Sequence, residues 1–203
     1  MDDYDMQLLH QVADICRALN LNMQVKRLRW LDRAIWSKIN SDDCRFAADG
    51  VLFPDRMKGR LEPKEWRPLM ASSLTFHKRL VWNMPGSTIV TVFITLGLML
   101  LGAGIMSYAF GGGGAGLPLF LYVVLVIGPF LSNRTTQLRK SQRLQADLEA
   151  AQTVGTQEFL SVLRKIEEME LKDVLETEKR GFSRHFSSKP SVTERIANLS
   201  SPT

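Results

Sequence analysis

The chain has 203 residues, a formal net charge of +5 and 45% hydrophobic residues, enough for one modest domain and a membrane element. Its two cysteines, Cys16 and Cys44, form no C-x-x-C pair, which argues against a disulfide framework and a thiolate zinc site. The acidic residues 1–5 lack the basic and apolar regions of a secretory signal, so we expect the first 80 residues to stay where they are synthesised.

The N-terminal segment is predicted to form a helix and then a small sheet. Apolar residues recur at a helical spacing through residues 6–19. Two short strands are expected in residues 24–31 and 44–53, with Asp49 and Gly50 at a turn or bulge.

A long uncharged interval follows, with no charged side chain between Arg79 and Arg134. Residues 88–110 are apolar and long enough to cross a hydrocarbon core of about 30 Å, at a rise of about 1.5 Å per residue. The shorter apolar run 117–131 crosses only with part of the preceding glycines or with local thinning of the bilayer. No Lys-Ser/Thr follows the glycine-rich residues 111–116, which favours a turn over a phosphate loop. The interval therefore predicts a transmembrane helical hairpin.

Basic residues on both sides of this interval predict its orientation. They are Arg56, Lys58, Arg60, Lys64, Arg67, Lys78 and Arg79 before it, and Arg134, Arg139, Lys140 and Arg143 after it. We therefore expect an integral membrane protein, in the plasma membrane or a bacterial inner membrane, with both termini in the cytoplasm. The lipid bilayer is the expected partner rather than nucleic acid, because no base-stacking or groove-reading motif accompanies the basic residues.

The remaining segments are predicted to be helical. A helix is expected over residues 63–80, with a proline in its first turn. Residues 134–154 should continue the second apolar run, and 157–177 should form a second amphipathic helix. A short final helix is capped by Ser191 or Thr193. The expected fold class is α+β, mainly helical, with a small sheet and a two-helix transmembrane hairpin inserted in the domain.

Four short segments occur in order along the chain. They are residues 49–52 (DGVL), 65–76 (EWRPLMASSLTF), 143–147 (RLQAD) and 188–196 (SKPSVTERI). Their order, with the hairpin between the second and third, resembles that of the HtpX-like membrane zinc metallopeptidases, a gluzincin-type family that includes the CAAX prenyl proteases. The residues that match the family motifs are Asp49, Gly50, Ala146, Asp147, Pro190, Glu194, Arg195 and Ile196. The resemblance implies one peptidase-like domain built from residues 1–84 and 133–203, interrupted by the hairpin at 85–132.

The chemistry of that family needs two histidines one helical turn apart, a glutamate base beside the first and a third, carboxylate ligand. Here the first histidine, the base, the second histidine and the third ligand fall on Ser72, Ser73, Phe76 and Arg143. A phenyl ring cannot coordinate zinc, and a guanidinium repels it. Shifting the register by one residue recovers only His77 as a second histidine. The resemblance therefore implies a scaffold that has lost its zinc ligands, with no catalytic residues, metal or cofactor expected.

Other catalytic sets have little support. His10 and His185 have no partner at a ligand spacing. A hydroxyl of Ser72 or Ser73 could pair with His77 as nucleophile and base, but no orienting acid or oxyanion donor is identifiable.

The favoured hypothesis is a membrane-anchored, catalytically inactive homologue that binds a protein partner or peptide, such as a segment of an unfolded or membrane protein, along the edge of its sheet. One alternative is an active membrane metalloendopeptidase, with zinc held by non-standard or partner-supplied ligands. A second is a membrane-hairpin scaffold whose flanking helices pair with another protein.

Overall fold

The structure is a computed structural model that describes residues 2–21, 23–34, 37–47, 50–83, 97, 128–179 and 189–201. The first predicted span, except Gly97, and most of the second lie outside these residues. Within the described ranges, no helix combines the length and the apolar character needed to cross a membrane.

The described chain is mainly helical with a small sheet, which confirms that part of the predicted fold class. Its elements, in order, are helix α1 (Asp3–Ala18), strands β1 (Arg27–Trp30), β2 (Arg33–Ala34), β3 (Ser37–Lys38), β4 (Arg45–Ala47) and β5 (Gly50–Phe53), and helices α2 (Trp66–Asn83), α3 (Gly128–Val154), α4 (Thr156–Glu168), α5 (Lys172–Lys179) and α6 (Val192–Ser200). Short 3-10 helices at Asp55–Met57 and Pro63–Glu65 lie between β5 and α2.

The main sheet has the strand order β1-β5-β4, and β2 and β3 form a separate antiparallel pair. Strand β1 runs parallel to β5, whereas β4 runs antiparallel to it. Residues 44–53, predicted as a short strand with a turn or bulge at Asp49 and Gly50, form the two antiparallel strands β4 and β5, with Ala47 opposite Gly50. A Cβ at Gly50 would lie 3.0 Å from the carbonyl oxygen of Arg27, so a glycine allows β5 to approach β1 closely. Asp49 lies outside the described residues.

The prediction of one helix over residues 157–177 is wrong. Helix α4 ends at Glu168, and Glu170 adopts a left-handed conformation with φ +46° before α5 begins. The amide of Glu170 donates to the carbonyl oxygen of Glu167, which closes a turn in place of the next helical hydrogen bond. Gly155, with φ +99°, separates α3 from α4, as its position in the sequence predicts.

Helix α6 begins with a capping box in which Ser191 is the N-cap. The Ser191 hydroxyl accepts from the amide of Glu194 at 3.2 Å, and the Glu194 carboxylate accepts from the amide of Ser191 at 3.0 Å. Thr193 lies inside α6 and is not the cap; its hydroxyl donates to the carboxylate of Glu178 at 2.7 Å and lies 3.1 Å from that of Glu167.

One buried apolar cluster joins the segments on either side of residues 84–127, an interval of which the structure describes only Gly97. Its members from the first segment include Leu8, Val12, Val51, Phe53, Trp66 and Leu69, and those from the second include Ala150, Phe159, Leu163, Ile166, Val192 and Leu199. The described parts of the two segments therefore share a core. The domain boundaries at residues 84 and 133 stay a prediction.

Candidate functional site: a buried ion network between α2, α3 and α6

Helices α2 and α3 bring predicted metal-site positions together. Ser73 and Phe76 lie one turn apart on α2, and both contact Arg143 of α3. One terminal nitrogen of Arg143, Nη2, donates to the Ser73 hydroxyl at 3.1 Å. The guanidinium carbon of Arg143 also lies 5.3 Å from the centre of the Phe76 ring, within reach of a cation–π interaction.

Asp43, just before β4, connects this pair to the sheet. Its Oδ1 accepts from the Ser73 hydroxyl at 2.8 Å and from Nη2 of Arg143 at 2.8 Å, while Nζ of Lys189 lies 3.5 Å from Oδ2. Burial alone would raise the pKa of Asp43, but Arg143, Lys189 and the Ser73 hydrogen bond together lower it well below its usual range. Asp43 is therefore ionised at neutral pH.

Asp147 forms the second centre of the network and is completely buried on α3. It accepts from the hydroxyl of Ser72, which is the first-histidine position of the resemblance. It also receives a two-pronged contact from Arg195, with Nε to Oδ2 at 2.8 Å and Nη2 to Oδ1 at 2.9 Å. Two residues that match the family motifs, Asp147 and Arg195, thus bind each other directly.

Arg195 ties α6 to the segment before β4. Its Nη1 donates to the backbone oxygen of Asp42 at 2.9 Å and to Oδ2 of Asp42 at 2.8 Å. The guanidinium carbon lies 5.5 Å from the ring centre of Phe159 on α4. Burial alone would lower the pKa of Arg195, but attraction to Asp147 and Asp42 raises it above its usual range, so the side chain stays charged.

The other motif residues hold this arrangement in place or lie beside it. Ala146 is fully buried beside Asp147, and Ile196 packs against the apolar core. Glu194 completes the α6 capping box and pairs with Nζ of Lys140 at 2.7 Å. Pro190 lines the cleft described next.

A small cleft of about 30 Å³ opens at the network, with space for roughly two water molecules. Its lining residues are Asp42, Asp43, Phe76, Arg143, Lys189, Pro190 and Arg195. Among the described residues, no group of three His, Cys, Asp or Glu side chains is placed to hold a metal ion.

The hydroxyl–imidazole hypothesis gains no support from this geometry. Ser72 donates to Asp147 and Ser73 donates to Asp43, so in the described hydrogen bonds neither hydroxyl is directed to His77. His10 is exposed on α1, and His185 lies outside the described residues.

The thiols lie in the core rather than in a reactive site. Cys44 is buried beside the network, and burial together with the neighbouring Asp43 charge raises its pKa to about 12. Burial also raises the pKa of Cys16 on α1. Both are free, as the sequence predicts, and both are poor nucleophiles while the core is closed.

Comparison with known proteins gives no match to a family model, a curated protein or a solved structure.

Sequence reasoning missed Asp42 and Asp43. The two residues are adjacent and precede a predicted strand, and their spacing to other polar residues matches no known site motif. The one available signal was the adjacent pair of acids itself, which is common on protein surfaces.

Proposed function

We propose that this protein is a membrane-anchored, catalytically inactive homologue of the HtpX-like zinc metallopeptidases that binds extended segments of unfolded or membrane proteins. One observation carries the proposal. Of the four positions that an active relative would use for zinc and the base, Ser73 and Phe76 both contact Arg143, and Ser72 binds the same network through Asp147.

The charges of the network balance without a metal ion. Three carboxylates, those of Asp42, Asp43 and Asp147, are matched by three cations, Arg143, Lys189 and Arg195. A guanidinium at the third-ligand position repels zinc, and the carboxylates are already engaged by cations and hydroxyls. The site is therefore satisfied as an ion network, which supports a non-catalytic role.

Strand β4 offers an edge for an added peptide strand. Within the described residues, β4 pairs with β5 alone, so it is an edge strand of the described sheet. Backbone groups alternate between the two sides of an antiparallel strand, so at least one of its three residues directs its N–H and C=O away from β5. Asp43, which lines the cleft, precedes β4 by two residues, so a peptide added to β4 would lie near the ion network.

The hairpin interval and the packing of its flanking helices support the membrane anchor. Ser72 contacts Asp147, whereas Phe76, one turn later on α2, contacts Arg143, one turn earlier on α3. The order of these pairs makes α2 and α3 antiparallel, so α2 ends and α3 begins at the same end of the pair. The uncharged interval 80–133 joins these two ends and has basic flanks, as an inserted hairpin with cytoplasmic termini requires.

The test is site-specific photocrosslinking of the full chain in lipid nanodiscs, with casein as a permanently unfolded probe. A benzophenone amino acid replaces the exposed Ala47 of β4 in one variant and the 44% exposed Met6 of α1 in a matched control. Helix α1 packs near β1, on the opposite edge of the sheet from β4. We expect crosslinks from position 47, competed away by excess unlabelled casein, and only background from position 6. Equal crosslinking at both positions, or none at position 47, would contradict the proposal.

A further inference from the structure

Three consecutive residues before β4 are each bound by a different element of the C-terminal segment. We name Ser41–Asp43 the coupling loop. The amide and hydroxyl of Ser41 donate to Asp173 of α5 at 2.8 and 2.9 Å. Asp42 accepts from Arg195 of α6, and Asp43 accepts from Arg143 of α3.

The contact to α5 is braced from a second side by Arg56. Its Nη1 lies 3.4 Å from Oδ2 of Asp173, and its Nη2 donates to the carbonyl oxygen of Ile39 at 2.7 Å. Ser41 and Asp173 are both buried, so neither can exchange its partner for water without opening the fold.

The coupling loop leads directly into the edge strand β4, with only Cys44 between them. The position of β4 is therefore fixed by α3, α5 and α6 as well as by its pairing with β5. If α5 or α6 undocked, a buried charge or hydrogen-bonding group of the coupling loop would lose its partner. Opening of one element therefore favours opening of the other.

We propose that the coupling loop makes β4, α5 and α6 a single opening unit, so that peptide binding at β4 and docking of α6 stabilise each other. The identity of the ligand rests on the proposed function. The coupling itself does not, because it follows from contacts within the chain. Thermodynamic linkage makes the effect reciprocal. The factor by which docked α6 raises peptide affinity equals the factor by which bound peptide favours docking of α6.

The native cysteines report on this opening without added probes. Cys44 lies in the unit, whereas Cys16 is buried in α1, outside it. In Arg195→Gln, we expect Cys44 alkylation by iodoacetamide to rise at least about tenfold, because the change leaves buried carboxylates unpaired. Cys16 alkylation should stay unchanged. Arg17→Gln removes an exposed arginine paired to Asp14, and as the matched control it should leave both rates unchanged.

Hydrogen exchange tests whether the elements open together. Each readout lies in an element outside the one substituted: α5 amides for Arg195→Gln and α6 amides for Asp173→Asn. Faster exchange in both is the expected result. Unchanged exchange in either, or a rise in Cys16 alkylation equal to that of Cys44, would overturn the inference, since opening would then be local or global.

Casein supplies the reciprocal test in the wild-type chain. Saturating casein should slow both Cys44 alkylation and α6 exchange. If casein crosslinks to the chain but α6 exchange stays unchanged, the inference is wrong, whereas the proposed function is still supported. Absence of casein binding removes the proposed function, and the two substitutions then decide the coupling within the chain on their own.

Discussion

At the scale of single residues, Asp43 has partners from three distant parts of the chain. Its carboxylate meets a hydroxyl from α2, a guanidinium from α3 and the ammonium of Lys189 before α6. A buried ion pair adds little when compared with apolar packing, but removing one partner leaves the other charge buried and uncompensated. Asp43 therefore affects stability mainly because its loss would leave the buried guanidinium of Arg143 without its carboxylate partner.

The substitution Asp43→Asn tests this role. At neutral pH it should lower the free energy of unfolding by about 3 kcal/mol, because Arg143 loses its closest carboxylate. The pKa of Asp43 is lowered in the folded state, so its stabilisation is fully present above the unfolded pKa of about 3.9 and is lost as pH falls below it. The difference between wild type and variant should thus shrink below about pH 4, as measured by urea titration in mild detergent.

Asp14→Asn is the matched control for this titration. Asp14 is an exposed carboxylate that also pairs with an arginine, Arg17 at 2.6 Å. Exposed pairs of this kind contribute about 0–1 kcal/mol, so little change is expected at any pH. A difference for Asp43→Asn that stays constant from pH 7 to pH 2.5 would contradict the assignment of Asp43 as an ionised member of the network.

The sequence allowed part of this site to be predicted. The resemblance put Ser72, Ser73 and Phe76 on one helix and Arg143 on another, and Ser73 and Phe76 indeed contact Arg143. Asp42 could not be assigned to the site, because its partner Arg195 is 153 residues away and no local spacing encodes such a contact.

At the scale of elements, helical periodicity predicted the helices but not their breaks. The apolar spacing in residues 157–177 continues across Glu170, so it gives no sign of the left-handed residue that separates α4 from α5. In residues 44–53, Asp49 and Gly50 predicted a turn or bulge, but the composition did not show that the segment divides into two paired strands, β4 and β5. Turn geometry depends on backbone angles that hydrophobic patterns do not encode.

The antiparallel pairing of α2 and α3 can be tested by rebuilding a metal site on it. The combined change Ser72→His, Ser73→Glu, Phe76→His and Arg143→Glu places two imidazoles one turn apart, facing a carboxylate from α3. Asp147, which already accepts from the Ser72 hydroxyl, would orient the first histidine. We expect one zinc ion per chain by elemental analysis.

The matched control moves only the third ligand by one turn. It keeps the three α2 changes and replaces the exposed Arg139 by Glu, leaving Arg143 in place. This variant should bind no zinc, because the carboxylate is displaced and the guanidinium remains at the site. The contradicting result is a variant with all four substitutions that is folded, as shown by near-ultraviolet circular dichroism, but binds no zinc. It would argue against the proposed relationship between these positions and a metal centre.

At the scale of the whole molecule, the described segments on either side of residues 84–127 form one core and one ion network. Asp42 and Asp43 come from before the interval, whereas Arg143, Asp147 and Arg195 come from after it. A scaffold of independent flanking helices would not need such buried contacts between its halves.

The most direct test of the central claim is the zinc content and proteolytic activity of the purified full chain. The protein is incubated with excess zinc in nanodiscs, desalted and analysed by elemental mass spectrometry, and casein cleavage is followed with and without a chelator. The ion network predicts no bound zinc and no cleavage that the chelator can inhibit. One zinc per chain together with chelator-sensitive cleavage would contradict the account and support the active metalloendopeptidase.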